Sequence, residues 1–262
     1  MLDVSNNFMK LCKLCGLEKK VIGRSHIIPD FLYKQSGLYD EKHRIRYFSV
    51  QSLIDGKKPS LPQSGVHEGG ILCAECDNVR LGTNLEDYAK KAIYGGANLK
   101  AEEQVQCANF YNDEGEMFAI CTNINYTKYK LFLLSILWRA SISKKSFFKE
   151  INIGEHEEIL RKMIFENDAK QYFDYPIFVT TSAMDEQFEP DIILQPTQLA
   201  GSDGMQTCYF IIGGFMYMFK LGSYTDNLEK LKTQTINEDN KLMILKLQPG
   251  ETMALIRRYV GL

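Results

Sequence analysis

The chain has 262 residues, of which 45% are hydrophobic, 24% charged and 11% aromatic, with a net charge of −2. This is the composition of an ordinary globular protein, long enough for one large domain or two small ones, and the total charge gives no sign of a nucleic-acid partner. The charge is uneven, however: residues 1–100 carry 15 Lys and Arg against 11 Asp and Glu, and the remainder carries 16 against 22. A mildly basic first part permits a phosphate-binding site there without requiring one.

The N-terminal MLDVSNNFMK has neither a basic n-region nor an apolar h-region, so it does not read as a secretory signal. The most apolar stretch, LFLLSILW, ends at Arg139, well short of the roughly 20 residues needed to span a bilayer. A cytoplasmic protein with no membrane contact is expected. In that reducing setting, closely spaced cysteines point to metal or redox chemistry rather than to disulfides.

In chain order, the first 95 residues hold two cysteine pairs, Cys12-Cys15 and Cys73-Cys76, and three of the four histidines. Between the pairs, residues 37–70 are rich in Gly, Pro, Ser and charge, which predicts a long loop with one short strand at RIRYFSV. After the second pair, Leu81, Leu85, Tyr88, Ala89 and Ala92 recur at helical spacing, and Gly95-Gly96 supplies a stop. EMFAICTNI then predicts a strand, and TKYKLFLLSILWRASISKK a buried helix. GEHEEILRKMIFEND predicts an amphipathic helix with acidic residues in its first turn. The last third predicts strands at YPIFVTTS, QTCYFIIGGFMYMFKLG and KLMILKLQ, with a tight turn at Gly213-Gly214. The fold class expected is α+β: a metal-stapled module over 1–100 and a mixed α+β domain over 101–262.

Two C-x2-C pairs match a tetrahedral four-thiolate zinc site, with Cys12, Cys15, Cys73 and Cys76 as ligands. Such an ion has no open position for water, so its expected role is structural. The alternatives are unliganded thiols or a redox dithiol. Cys107, Cys121 and Cys208 stand alone in apolar surroundings and are expected in the core. The first pair lies on LCKLCG, a knuckle ending in glycine, and the second leads straight into a helix. That treble-clef order brings residues near position 26 close to those just after Cys76.

Ser25-His26-Ile27-Ile28-Pro29, followed by Leu72-Cys73-x2-Cys76, resembles the HNH (ββα-metal) endonuclease family in its zinc-stapled form. The resemblance covers about residues 10–92. It implies that His26 acts as general base on a water attacking a phosphodiester, and that one Mg²⁺ or Mn²⁺ is held by Ser25 and Asp77. Ser25 departs from the usual Asp or His of the family. Glu68, at a position where the family often has an asparagine orienting the base, is the expected compensating residue. His67 is its neighbour, and Glu86 is a weaker candidate on the side of Arg80 or Thr83. The chain is also similar to a group of bacterial HNH-type proteins of this length, some found near phage-defence genes.

Each residue also has a plainer reading. His26 can be a hydrogen-bonded core histidine, Asp77 a helix N-cap, and Glu68 a solvated loop residue. His43 and His156 read as surface residues. Arg24, Arg44, Arg46, Lys57, Lys58 and Arg80 can contact phosphate or simply solubilise the chain. The function expected is metal-dependent hydrolysis of nucleic acid, DNA first, in phage defence. The C-terminal part would then regulate or target it through oligomerisation, a partner or a sensed ligand. A non-catalytic zinc module that binds nucleic acid or protein is the alternative, and a redox- or zinc-responsive regulator a third.

Overall fold

The chain enters as a short hairpin in which β1 (Met9–Leu11) and β2 (Glu18–Lys20) pair antiparallel across the turn holding Cys12 and Cys15. Gly16, at a φ of 70°, closes that turn in a conformation that L side chains rarely adopt. The structure is a computed structural model, and it describes residues 9–96, 99–201 and 204–258. Next come β3 (Ser25–His26) and α1 (Asp30–Lys34), the latter entered through Pro29, whose fixed φ suits a helix start. The segment expected as a loop with one strand holds β4 (Arg46–Phe48), α2 (Val50–Ile54) and β5 (His67–Glu68). Helix α2 exists because Ser49 and Ser52 cap each other reciprocally, satisfying two N–H groups that a five-residue helix would otherwise leave bare.

Strand β5 returns antiparallel to β3, placing Ser25 opposite Glu68 and His26 opposite His67. From Glu75 to Glu86 the chain winds as a π-helix and then runs on as α3 (Asp87–Tyr94). Gly95, with a φ of 75°, ends it where the Gly-Gly pair predicts.

The second part begins with the hairpin of β6 (Gln106–Tyr111) and β7 (Met117–Thr122) and continues into α4 (Tyr126–Ile142). Asn125 caps α4 by accepting from the Lys128 N–H. Every residue from Tyr129 to Ala140 is buried, so α4 is covered on all sides. Burying each of its leucines is worth about 1.5–3 kcal/mol. Helix α5 (His156–Glu166) packs on α4 through Leu160, Met163 and Ile164, the i, i+3, i+4 stripe of its amphipathic pattern. There follow β8 (Ile177–Thr181), β9 (Ile192–Ala200), β10 (Gln206–Ile212), β11 (Phe215–Lys220), α6 (Leu228–Gln234), β12 (Leu242–Lys246) and α7 (Glu251–Arg258). Gly213 and Gly214, both at positive φ, form the two-residue turn between β10 and β11.

Eight strands form one mixed sheet in the order β4-β9-β10-β11-β8-β12-β7-β6, with β4/β9 and β8/β12 parallel and the other pairs antiparallel. The fold is therefore mixed α+β. The expected boundary near residue 100 falls in the link between α3 and β6, yet β4, from the first hundred residues, forms one edge of the large sheet. The main hydrophobic core is likewise continuous from Leu14 and Leu72 through α4 to β8 and β11. A smaller cluster, including Phe48, Val50, Ile211 and Ile256, joins α2 and α7 to the sheet.

One expectation about the cysteines is overturned. Cys107 and Cys121 are not solitary core residues: β6 and β7 set them directly opposite each other, with Cα atoms 4.0 Å apart and the sulfurs bonded. Cys121 is buried, whereas Cys107 is exposed on the sheet's edge strand. Cys208 is buried, as its surroundings predict. Among the described residues no helix is long and apolar enough to cross a membrane.

Candidate metal centre and the adjoining cavity

The ligand sulfurs of Cys12, Cys15, Cys73 and Cys76 all lie within 4.8 Å of one another. Four thiolates converging this closely suit a tetrahedral zinc ion with Zn–S bonds of about 2.3 Å. Both pairs are presented by backbone. The Gly16 N–H bonds the Cys12 carbonyl at 2.9 Å, shaping the knuckle, and the Cys73 N–H points to the Cys12 sulfur at 3.3 Å. Burial pushes the Cys15 thiol up. Burial and the neighbouring sulfurs push Cys76 up further. For Cys12, burial is outweighed by N–H donors from Cys15, Cys73 and Leu14, which bring it down to about 7. Metal binding must therefore expel protons from this cluster, which makes affinity rise with pH.

The second part of the chain braces the knuckle. Arg161 of α5 donates to the Leu14 carbonyl at 2.6 Å, and Arg80 to the Phe165 carbonyl at 2.9 Å while lying over the Phe165 ring. Lys19 on β2 pairs with Glu75 in the first turn of the π-helix at 2.7 Å.

From this centre the β3–β5 ribbon and the π-helix converge. Ser25 is fully buried and its hydroxyl donates to the Asp77 carboxylate at 2.5 Å. Ser25 and Asp77 are thus brought together. His26 and Asp77 line one cavity of about 220 Å³, with Asp30, Phe31, Gly82, Glu86, Asp87, Lys90 and Arg139. The His26 Nε2 atom is buried and has no hydrogen-bond partner among the described residues. The nearest carboxylate, that of Asp30, lies 4.0 Å away. Burial lowers the pKa of His26, and the charges of Arg24, His67 and Arg139 push the same way against Asp30. The imidazole is therefore neutral at neutral pH and can accept a proton.

Glu68 is not brought to His26. Side chains alternate across a ribbon, so His26 faces His67, with ring centroids 6.0 Å apart, and Glu68 lies on the other face with Ser25. The Glu68 carboxylate instead accepts from the Ser143 hydroxyl at 2.7 Å and the Lys144 N–H at 2.9 Å, fastening the end of α4. Glu68 is absent from the lining of the cavity. Glu68 therefore stands opposite Ser25 on the ribbon, with its carboxylate engaged by the end of α4 and away from the cavity that His26 lines.

Glu86 takes the place at the cavity instead, and the helix type explains why. In an α-helix of 3.6 residues per turn, nine residues make two and a half turns, so Asp77 and Glu86 would face opposite ways. The i→i+5 bonding of a π-helix gives roughly 4.4 residues per turn, and nine residues then make about two full turns. Asp77, Gly82, Glu86 and Lys90 consequently share the cavity side. Glu86 is held by Arg139 at 2.8 Å. Burial raises its pKa and Arg139 opposes the rise.

Arg139 is the residue that sequence reading missed. It is 1% exposed and comes from α4, yet it donates to the His26 carbonyl at 2.7 Å as well as to Glu86, and its remaining donors reach Ser135. The available signal was a lone cation ending an otherwise apolar helix run, since a buried charge requires a partner. Of the other histidines, His43 is exposed as expected. His156 is half-buried and bonds the Tyr175 hydroxyl at 3.0 Å.

Comparison with family models, with curated proteins and with solved structures finds no match to this chain. Fold and site therefore define a mixed α+β protein whose N-terminal residues form a four-cysteine cluster suited to structural zinc.

Proposed function

We propose that the protein is a metal-dependent nuclease of the HNH type, hydrolysing phosphodiester bonds in nucleic acid, with DNA the first substrate to test. The observation that carries this reading is the contact of Ser25 with Asp77 beside a neutral His26 whose Nε2 has no partner. A two-stranded ribbon carrying the histidine, set against the first turn of a helix that opens with a zinc-ligating pair, is the arrangement the resemblance implies.

The donors suit a magnesium-like ion. Asp77 offers one hard anionic oxygen, and such ions are commonly held by one or two carboxylates, with waters and substrate phosphate completing the shell. Asp77 would hold the ion, and Ser25 orients its carboxylate. When bound, the ion supplies electrostatic stabilisation of the phosphate undergoing attack. His26 takes the proton from the attacking water, as its neutral state allows. Arg139 fixes the backbone of His26 through its carbonyl and holds the Glu86 carboxylate in the wall. Lys90, exposed at the rim, contributes positive charge toward a phosphate backbone. The C-terminal part, joined to the site through Arg139, is the natural place for control, and resemblance to defence-associated proteins makes phage DNA a substrate of choice.

A second reading, a non-catalytic zinc module that binds nucleic acid or protein, is favoured by one observation. Ser25 is a hydroxyl where a carboxylate or imidazole ligand is usual. The test is calorimetric titration of zinc-loaded protein with Mn²⁺. The nuclease reading expects a second, weaker site in the wild type that vanishes in Asp77→Ala while zinc is retained. Absence of that site in the wild type would favour the binding module.

A further inference from the structure

The eight-stranded sheet has two edges, and the described residues cover one of them. At β4 the chain protects itself: Tyr47 and Ser60 exchange backbone hydrogen bonds at 3.0 and 2.9 Å, so residue 60 closes that side. At the other end β6 is six residues long, exposed along its whole length, and no described strand pairs with its outer side. Open edges are normally blunted by lysine, proline or a bulge. Residues 104–112, QVQCANFYN, contain no charge and no proline, and the β6–β7 register runs without a bulge.

We propose that β6 is the self-association surface of this protein, pairing antiparallel with β6 of a second copy about a twofold axis at Asn109. The register determines which groups are available. The Asn112 N–H bonds the Glu116 carbonyl at 3.1 Å, so with two-residue alternation the pairs 110/118, 108/120 and 106/122 are the bonded ones. The N–H and C=O groups of Cys107, Asn109 and Tyr111 therefore face outward. Centred on Asn109, a second strand meets these as Asn109 with Asn109, Cys107 with Tyr111 and Tyr111 with Cys107. Those three pairs exchange about six backbone hydrogen bonds.

The side chains identify the occupant as the chain itself. Along the strand the small residues Cys107 and Ala108 precede Asn109, and the large residues Phe110 and Tyr111 follow it. A twofold axis at Asn109 sets Phe110 against Ala108 of the other copy and Tyr111 against Cys107, large against small on both faces. Phe110 and Tyr111, 44% and 66% exposed, are the large apolar side chains this pairing would cover. On the face of Cys107, the incoming Tyr111 lies at an apolar cavity of about 150 Å³ lined by Val105, Cys121, Tyr129 and Ile244. The paired residues themselves carry no charge, and the acidic residues Glu102, Glu103, Asp113, Glu114 and Glu116 lie beyond both ends of the strand.

The test is molar mass by light scattering, with circular dichroism and zinc content as folding controls. The wild type should elute at twice the 30.1 kDa chain mass. Asn109→Pro removes an outward N–H without breaking the β6–β7 ladder, and should give the single-chain mass with the fold retained. Asn109→Lys and Asn109→Glu each place like charges face to face across the axis and should be monomeric alone. Mixed together they should return to twice the chain mass. A monomeric wild type at the highest attainable concentration would overturn the proposal. So would a dimer that persists in folded Asn109→Lys, or two charged variants that fail to associate when mixed.

Discussion

Replacing Arg139 by methionine is the sharpest perturbation of the link between the two parts of the chain. Methionine keeps most of the volume but removes the bonds to the Glu86 carboxylate and the His26 carbonyl. Breaking a buried ion pair from one side costs about 3–5 kcal/mol, and an orphaned buried carbonyl about 1–3 kcal/mol. The lower figures apply, because the Glu86 side chain keeps 21% exposure and can take up a proton. The expected loss is about 4 kcal/mol. Its pH dependence has a definite sign. Burial already raises the Glu86 pKa, and losing Arg139 raises it further, so the folded variant holds a proton that the unfolded chain releases. Stability of the variant must then fall as pH rises above the ordinary carboxylate range. Denaturant unfolding of zinc-loaded Arg139→Met, Glu86→Leu and the double variant measures the coupling directly. The double variant should recover about 2 kcal/mol relative to Arg139→Met, since the stranded carboxylate is gone. A single variant within about 1 kcal/mol of wild type, or a double variant no better than the single, would refute the reasoning.

Three further outcomes follow from the same geometry. Cys73→Ser, or a strong chelator, should unfold the N-terminal part, because the metal supplies folding free energy on the order of 10 kcal/mol; persistence of its circular dichroism without zinc would contradict this. Burial lowers the Lys130 pKa to about 7 from 10.5, so between those values the unfolded chain holds a proton that the folded one lacks. Stability should fall by a few kcal/mol as pH drops through that window and level off below it, and Lys130→Met should abolish the slope in a pH series of urea unfolding. Glu68→Ala should cost about 1 kcal/mol by loosening the end of α4 while leaving any nucleolytic activity intact, and loss of activity with the fold preserved would return Glu68 to the catalytic set.

What could be read from sequence was local or periodic. The two C-x2-C pairs show their chemistry in their spacing, and α4 shows itself in a near-continuous apolar centre that suits a buried helix. Gly213-Gly214 marks a hairpin because only residues tolerant of positive φ can make that turn. What escaped depends on geometry that spacing does not encode. The pairing of Cys107 with Cys121 requires the β6–β7 register, and two cysteines fourteen apart look solitary without it. The placement of Glu86 beside Asp77 depends on π winding, for which an assumed α period assigns the wrong side. That Glu68 stands opposite Ser25, and His67 opposite His26, depends on the β3–β5 register, which spacing does not encode. Arg139 lies 113 residues from the histidine whose carbonyl it holds, a distance no local pattern spans.

The central claim is that His26 serves hydrolysis of nucleic acid. The most direct test incubates supercoiled plasmid with wild type and His26→Ala in Mg²⁺ and in Mn²⁺, with zinc content and fold verified in both. Nicking or degradation by the wild type that disappears in His26→Ala is the predicted result. Equal cleavage by the two proteins would contradict the assignment of His26 as the base.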